Sequence, residues 1–228
     1  MTLWFKISKK LTGCDEDNIH GIVYIPPENS KYASIDALSE IENEFQNFQK
    51  YYNYFCLHGD FNSRTSKEPD VINFERESGN DENVEHVFID TSNAYMLEEL
   101  GIPLRRANED KVINQYVRKL LIFCKYNDVF ILNGGIGEDK DIGKFTCKNV
   151  GVIDYTIASP EYLKHITNFQ VLEFSKLLSD VHCPISIDID HVKQYSCMNS
   201  SPNSIADKNV DKKPRRWENE KKGLFLKI

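Results

Sequence analysis

The sequence predicts an α/β fold, in which β-strands and α-helices follow one another along a single chain. Short runs of apolar, aromatic and β-branched residues, which are typical of strands, recur between residues 3 and 187. The clearest order is β-α-β: residues 19–25 form one such run, residues 34–50 have helical periodicity, and an apolar run from residue 51 ends at residue 59. The chain has 228 residues, of which 40% are hydrophobic, and it is long enough to bury the core of one ordinary domain.

The first half of the chain begins with a predicted pair of strands. Residues 3–7 and 19–25 are mostly apolar or β-branched, and residues 12–18 have the composition of a hairpin connection. An amphipathic helix is predicted over residues 34–50, because its apolar residues are spaced by three and four. These are Ile35, Leu38, Ile41, Phe45 and Phe48. The buried strand that follows ends abruptly in Gly59-Asp60-Phe61-Asn62.

The second half alternates weak and strong patterns. Residues 68–110 contain twelve acids and only brief apolar groups, which predicts a long irregular insertion or crossover with one short helix near residues 94–100. A loop of this length is either functional or partly disordered. Asn108, followed by two acids, is typical of a helix N-cap, and it predicts a second amphipathic helix that extends to Cys124. Further strands are predicted over residues 129–132, 152–158 and 177–187.

Charge and composition define the ends of the predicted domain. The composition becomes polar after about residue 191, so we predict a domain at residues 1–193 and a polar linker with a basic tail at residues 194–228. The net charge of −7 argues against a broadly nucleic-acid-binding surface, although residues 208–228 carry eight Lys and Arg against three acids.

No signal peptide or membrane span is evident, which predicts an intracellular protein, nuclear or cytoplasmic, without a membrane partner. The six cysteines show no CxxC spacing, which favours buried thiols over disulfides or a zinc site.

Polar residues interrupt three of the predicted strands. Asp60 and Asn62 follow the first, Asp154 lies inside the second, and Asp180 and His182 lie inside the third. Carboxylates and amides without thiolates suit a hard cation such as Mg²⁺ or Mn²⁺, which predicts phosphoryl chemistry. A carboxylate can accept a proton from an attacking water, an Asn can hold a phosphate oxygen, and an Asp–His pair can stabilise a charged transition state.

Each residue also has a structural interpretation. Asp60 could be an ordinary turn residue, and His182 could be a buried core histidine. An unpaired acid inside a buried strand is costly, so Asp154 is expected to have a partner such as a histidine.

Three segments in order resemble a known family. Gly59-Asp60-Phe61-Asn62, then Val152-Ile153-Asp154-Tyr155 leading to Ala158-Ser159-Pro160, then residues 178–185 (LSDVHCPI) are similar to the last three motifs of the endonuclease/exonuclease/phosphatase superfamily. The chain most resembles the endonuclease domains of animal non-LTR retrotransposon polyproteins. The likeness covers about residues 3–190, and the basic tail resembles the linker that precedes the reverse transcriptase in those polyproteins.

The resemblance implies both a fold and a set of roles. The implied fold is a four-layer α-β-β-α sandwich of two mixed β-sheets. Asp60 would position or deprotonate the attacking water and contribute to the metal site, and Asn62 would bind the scissile phosphate. Asp154 would orient His182 towards the phosphate, and Asp180 would help to hold the metal. The implied substrate is DNA, whereas the oligomeric state stays open.

Two departures from the family leave alternatives. Family members begin with about a hundred further residues, half a domain in scale, that carry an Asn and a metal-binding Glu, so we expect this chain to start in the middle of the domain. Val181 separates Asp180 from His182, whereas the corresponding two residues are adjacent in most members. Side chains two residues apart in a regular strand point to the same face, so Asp180 and His182 share one face unless the strand contains a bulge. The alternatives are a catalytically inactive fragment and a phosphatase acting on a small phosphorylated substrate.

Overall fold

A computed structural model describes residues 2–71, 92–148 and 150–190 of the chain. Within these residues the strands are β1 (Thr2–Ile7), β2 (Asn18–Tyr24), β3 (Phe55–Asp60), β4 (Phe130–Ile131), β5 (Asp154–Ala158), β6 (Ile166–Val171) and β7 (Ile185–Ile189). The α-helices are α1 (Lys9–Thr12), α2 (Ala37–Gln49), α3 (Ser92–Glu99), α4 (Val117–Tyr126) and α5 (Pro160–Leu163), and a 3₁₀ turn spans Gly137–Asp139. No helix among these residues combines the length and apolar character that a membrane span needs.

Five strands form one mixed sheet in the order β1-β2-β3-β5-β4. Strands β2 and β3 are parallel, and the other neighbouring pairs are antiparallel. Helix α2 connects the parallel pair, because a chain that returns to run in the same direction needs a crossover. The predictions of an α/β fold, of an N-terminal strand pair and of a β-α-β order are therefore confirmed.

Helices α2 and α4 bury apolar residues in one core cluster on one face of this sheet. Leu38, Ile41 and Phe45 on α2 are at most 4% exposed, and they belong to the same cluster as Leu57 of β3. The spacing by three and four that predicted α2 is thus the spacing of its buried face. Burying a side chain such as Phe45 stabilises the fold by about 1.5–3 kcal/mol.

The opposite face of the sheet contributes to a second core cluster. Strands β6 and β7 form a separate antiparallel pair, and Phe169 of β6 lies in this cluster with Cys56 and Ala158 of the large sheet. Ile185 and Ile187 of β7 pack against it. The two sheets therefore contribute to a shared apolar interior, with the helices α2 and α4 on the far side of the larger one.

The helix predicted from Asn108 begins instead at Val117, and that prediction was wrong by about two turns. Two side chains in this stretch bond the backbone two residues ahead: Asn108 Oδ1 accepts from the Asp110 N–H (2.8 Å) and Asp110 Oδ1 from the Val112 N–H (2.9 Å). Such local bonds compete with the helical ladder, and they hold the segment as successive turns. Val112, which the periodicity placed on the buried face, is 46% exposed.

The strand predicted over residues 177–187 was also wrong for most of its length. Leu177 and Leu178 are 92% and 67% exposed, and they lie in a turn that a backbone bond from Leu178 N–H to Ser175 O closes at 3.0 Å. Strand β7 starts only after Pro184, a residue that cannot donate to a ladder. The region predicted as a hairpin connection contains the end of the short helix α1, and β6 was not predicted at all.

Two predicted regions lie wholly or partly outside the described residues. The short helix expected near residues 94–100 is α3, whereas residues 72–91 of the acidic insertion are not described. The linker and basic tail at 194–228 also lie outside the described part of the chain, so the predicted boundary at residue 193 stays a prediction.

Candidate functional site

The end of strand β3 presents Asp60 on the sheet face opposite the helices. Side chains alternate along a strand, so Leu57 packs in the helix-side core while Cys56, His58 and Asp60 share the other face. Gly59 has φ +137°, and a Cβ there would lie 2.0 Å from the carbonyl oxygen of Val23. Glycine is therefore required at this position, because the close approach of two backbones immediately precedes the carboxylate.

Asp154 lies directly opposite Asp60 in the antiparallel pair of β3 and β5. Residues opposite one another in such a pair have Cβ atoms about 4.5–5.5 Å apart, so two carboxylates are brought together. The hydroxyl of Thr146 accepts hydrogen bonds from the N–H groups of Ile153 (3.0 Å) and Asp154 (2.9 Å). Thr146, whose role the sequence did not indicate, fixes the start of β5 and with it the carboxylate.

His182 approaches this pair from the loop before β7. Its Nδ1 lies 2.9 Å from Asp154 Oδ2, so Asp154 has the histidine partner that was expected. The loop is attached to residues 146–148 by two backbone bonds, from Lys148 N–H to the oxygen of residue 181 (2.8 Å) and from Cys183 N–H to the oxygen of residue 146 (2.7 Å). His182 is not buried in a core, since its side chain is 36% exposed.

Asp60, Asp154 and His182 together offer three ligand atoms that lie within 4.8 Å of one another. Burial, followed by the charge of Asp154, raises the pKa of Asp60 to about 6. Burial acts to lower the pKa of His182, but its hydrogen bond to Asp154 and the negative charge there raise it overall. The site thus contains a carboxylic acid whose pKa is raised to about 6 beside an imidazole whose pKa is raised by its acid partner, a pattern typical of functional sites.

Asn62 is held beside this group by a tight turn. Its backbone is left-handed (φ +47°), its N–H donates to Asp60 Oδ1 (2.9 Å), and its side-chain amide donates to the oxygen of Ile25 (2.8 Å). The backbone carbonyl oxygen of Asn62 accepts a hydrogen bond from the side-chain amide of Asn114 at 2.7 Å. Asp60 is therefore a turn residue as well as a member of the cluster, and one N–H of the Asn62 amide is not used by Ile25.

Asp180 is exposed on the same loop as His182, and it is not one of the three clustered groups. The alternation argument for Val181 does not apply, because these residues are not in a strand. Cys147 and His182 form only an isolated bridge.

An ion pair that the sequence did not indicate connects the segment after Asn62 with the segment before Asp154. Arg64 donates to both oxygens of Asp110 at 2.7 Å and to the oxygen of Val150 at 2.7 Å. Asp110 also accepts from the N–H of Val152 at 3.1 Å. The segment after Asn62 is thereby tied to the segment before Asp154. Asp110 was interpreted as a first-turn helix acid, and no local pattern indicates its distant arginine.

A groove of about 290 Å³ opens beside the cluster, and its walls come from both sheets. It is lined by His58, Gly59, Asp154, Thr156, Cys183, Ile185 and Ile187. A larger hollow of about 480 Å³ lies at the other end of β3, near Phe55, and it contains none of the clustered groups. The groove is the smaller of the two, and it is the candidate site because the ionisable groups of the cluster lie beside it.

Comparison with known proteins does not assign the chain to a family. No protein-family model matches it, and no curated protein is significantly similar to it. The resemblance to the endonuclease/exonuclease/phosphatase superfamily accordingly rests on the three ordered motifs alone.

Proposed function

We propose that this protein is a metal-dependent phosphodiesterase, and more specifically a DNA endonuclease of the endonuclease/exonuclease/phosphatase superfamily. One observation carries the proposal: Asp60, Asp154 and His182, taken from three separate sequence segments, form a single cluster in which His182 is bonded to Asp154 at 2.9 Å. Residues of separate motifs that act in one reaction must lie close together in the fold, and these three residues do.

Asp154 and His182 act as one unit in the proposed mechanism. The bond from Nδ1 to Asp154 orients the ring and leaves Nε2 to face a phosphate oxygen. A charged imidazole, which Asp154 favours, stabilises the negative charge that develops on the phosphoryl oxygens as water attacks phosphorus. Asp154 is thus a positioning residue, and His182 is the catalytic residue that contacts the substrate.

Asp60 is the proposed acceptor of the proton from the attacking water. In the absence of metal its pKa is raised to about 6, so it is mostly ionised at neutral pH and more basic than an ordinary carboxylate, which suits general base catalysis. The second N–H of the Asn62 amide is the proposed donor to the scissile phosphate. Its position is fixed by the bond of the first N–H to Ile25.

The donor set of the cluster suits Mg²⁺ or Mn²⁺. Two carboxylates offer oxygen ligands, and Mg²⁺ in proteins is held by one or two carboxylates together with waters and substrate phosphate. Asp60 and Asp154 would hold the ion, and Asp180, exposed on the loop of His182, is a further candidate ligand. When bound, such a cation neutralises charge on the phosphate and favours ionisation of a water molecule.

The finer structural and cellular expectations belong to the same proposal. Helices α2 and α4 on one side of the large sheet and strands β6 and β7 on the other are compatible with part of a four-layer sandwich. A DNA substrate is in keeping with the proposed nuclear or cytoplasmic location.

The decisive experiment is nicking of supercoiled plasmid DNA in the presence of Mg²⁺. We expect the wild-type chain to produce nicked circles, and Asp60→Ala and His182→Ala to abolish them. Asp15→Ala, which changes an exposed acid in the connection between β1 and β2, should retain full activity. Asp180→Asn, assayed over a range of Mg²⁺ concentrations, tests the extra ligand, since loss of a ligand raises the Mg²⁺ concentration required.

The other outcomes are equally informative. A chain that is folded by circular dichroism but never nicks DNA would refute the proposal and favour the inactive fragment. Turnover of an inositol phosphate without DNA cleavage would indicate the small-substrate phosphatase instead.

A further inference from the structure

A second group of metal-binding side chains lies on the same sheet face as Asp60. His20 of β2 is directly opposite Cys56 of β3 in the parallel register, and His58 is two residues further along β3. His20 Nδ1 lies 3.1 Å from His58 Nε2, and Cys56 Sγ lies 3.9 Å from the other nitrogen of His58. One potential ligand atom from each of the three side chains lies within 4.8 Å of the others.

The chemistry of this group differs from that of the Asp60 cluster. Two imidazoles and a thiol are ligands for Zn²⁺ and similar transition ions, whereas two carboxylates suit Mg²⁺. The 3.1 Å contact between His20 Nδ1 and His58 Nε2 leaves at least one of these two nitrogens without a proton. A ring nitrogen without a proton carries the lone pair that binds a metal.

The distance between the facing nitrogens of the two rings is close to the distance between two ligand nitrogens of one metal ion. Their planes differ by 16° and their centroids are 5.3 Å apart, so that one nitrogen of each ring faces the other edge to edge. In a tetrahedral zinc site with Zn–N bonds of about 2.0–2.1 Å, two ligand nitrogens lie about 3.3 Å apart. In the observed 3.1 Å contact the two nitrogens face each other almost head-on, so each ring must turn by roughly 30° before both lone pairs point to one ion.

The hydrogen bonding of this buried group is also incomplete. His20 is only 5% exposed, and its Nε2 has no hydrogen-bond partner among the described residues. Cys56 is 1% exposed, and the only hydrogen-bond contact of its thiol within the described part of the chain is the long one to His58. Polar groups this deeply buried are normally satisfied. A cation bound at His20 Nδ1 would give the Cys56 thiol the close partner that it lacks, whereas His20 Nε2 would keep a proton and stay without one.

We propose that His20, Cys56 and His58 form a binding site for a zinc-like divalent ion, through His20 Nδ1, Cys56 Sγ and His58 Nε2. On binding, the thiol proton leaves to solvent, and the proton between the two rings moves to the far nitrogen of the ring that carries it. Three protein ligands leave one tetrahedral position. Because His58 lines the groove, a water molecule can occupy that position.

Cobalt binding to the full chain tests the site. After treatment with a chelator, Co²⁺ should bind and produce the intense visible absorption of a tetrahedral complex and a thiolate-to-cobalt charge-transfer band, both of which Zn²⁺ removes. Cys56→Ser should abolish the charge-transfer band, and His20→Asn should weaken binding about tenfold or more. Cys183→Ser, which changes a partly exposed thiol of the groove, is the matched control and should retain the band.

The two proposed sites can be tested independently. An Asp60→Asn, Asp154→Asn double variant should lose Mg²⁺-dependent nicking and still give the cobalt spectrum. Where Cys56→Ser fails to fold, the ¹⁵N shifts of the His20 and His58 rings on Zn²⁺ addition to the wild-type chain serve instead. Absence of a charge-transfer band, its persistence in folded Cys56→Ser, or unchanged ring shifts would overturn the proposal and leave a neutral hydrogen-bonded imidazole pair.

Discussion

Replacing Asp60 by Asn is expected to stabilise the metal-free protein at alkaline pH while abolishing activity. Asp60 ionises near 3.8 in an unfolded chain but near 6 in the fold, because the carboxyl is buried and faces Asp154. Between these values the folded chain keeps a proton that the unfolded chain has released. The free energy of unfolding therefore falls as the pH rises from about 4 through 6, and it stays lower above 6.

The size of this effect follows from the two pKa values. A pKa difference of one corresponds to about 1.4 kcal/mol, so the rise from 3.8 to about 6 sets an upper limit of about 3 kcal/mol. Asp60 is only partly buried, and solvent screening reduces the expected gain in Asp60→Asn to about 1–2 kcal/mol. The Asn side-chain oxygen can still accept the hydrogen bond from the N–H of Asn62, so the turn is preserved.

Urea denaturation in a chelator, followed over a range of pH, measures the difference. The midpoint of Asp60→Asn should exceed that of the wild type at about pH 8 and approach it at about pH 4, with the same slope. Mg²⁺ should stabilise the wild type more than the variant, because a bound cation neutralises the repulsion between the two acids. A variant that is destabilised at alkaline pH, or a difference that does not change with pH, would refute the reasoning.

Two further predictions concern other charged pairs, one in the site and one in the core. Asp154→Asn should lower the pKa of His182, because a charged acceptor is lost from the 2.9 Å bond, as measured by NMR titration, and should reduce nicking about a hundredfold or more. Asp70→Asn should destabilise the protein by about 3–5 kcal/mol in urea denaturation, because it leaves the Arg106 guanidinium buried without its counter-charge, both side chains being 3% exposed.

Each of these predictions has a control. Asp36→Asn removes an acid whose side chain is 73% exposed and whose partner, Lys119, is also partly exposed, so the cost should stay within about 1 kcal/mol. An equal cost at both positions would contradict the importance of burial at Asp70. In Asp154→Asn the backbone amide resonances of helix α2, which lies on the other side of the large sheet, should be unchanged. A change there as well as at His182 would indicate a general structural perturbation.

Periodicity predicted the elements whose side chains bury one regular face. The helix over residues 34–50 and the strands around residues 19–25 and 129–132 were found because propensity and burial agree there. The strand around residues 3–7 was found from propensity alone, since no residue of β1 is buried. The region after Asn108 was predicted wrongly because its acids serve as turn acceptors and as an ion-pair partner rather than as first-turn helix residues. Apolar residues at helical spacing do not form a helix where polar side chains bond the backbone N–H groups that a helix would use.

The candidate site was predictable in its chemistry but not in all of its geometry. An acid in a buried strand predicts a partner, and Asp154 has one in His182. The contributions of Thr146 and Arg64 depend on contacts between distant segments, and neither residue type is unusual in its local sequence. The same holds for His20 and Cys56, which are 36 positions apart in the chain and adjacent only through strand register.

The loop that carries His182 gives the two halves of the site unequal stability. Asp60 and Asp154 belong to the central strands, whereas the loop is attached to residues 146–148 by only two backbone bonds and exposes Leu177, Leu178 and Val181. Segments with few buried contacts open locally at a lower free energy than the sheet. Heating should therefore separate the imidazole from its acid while the domain is still folded, so that inactivation precedes melting and is reversed on cooling.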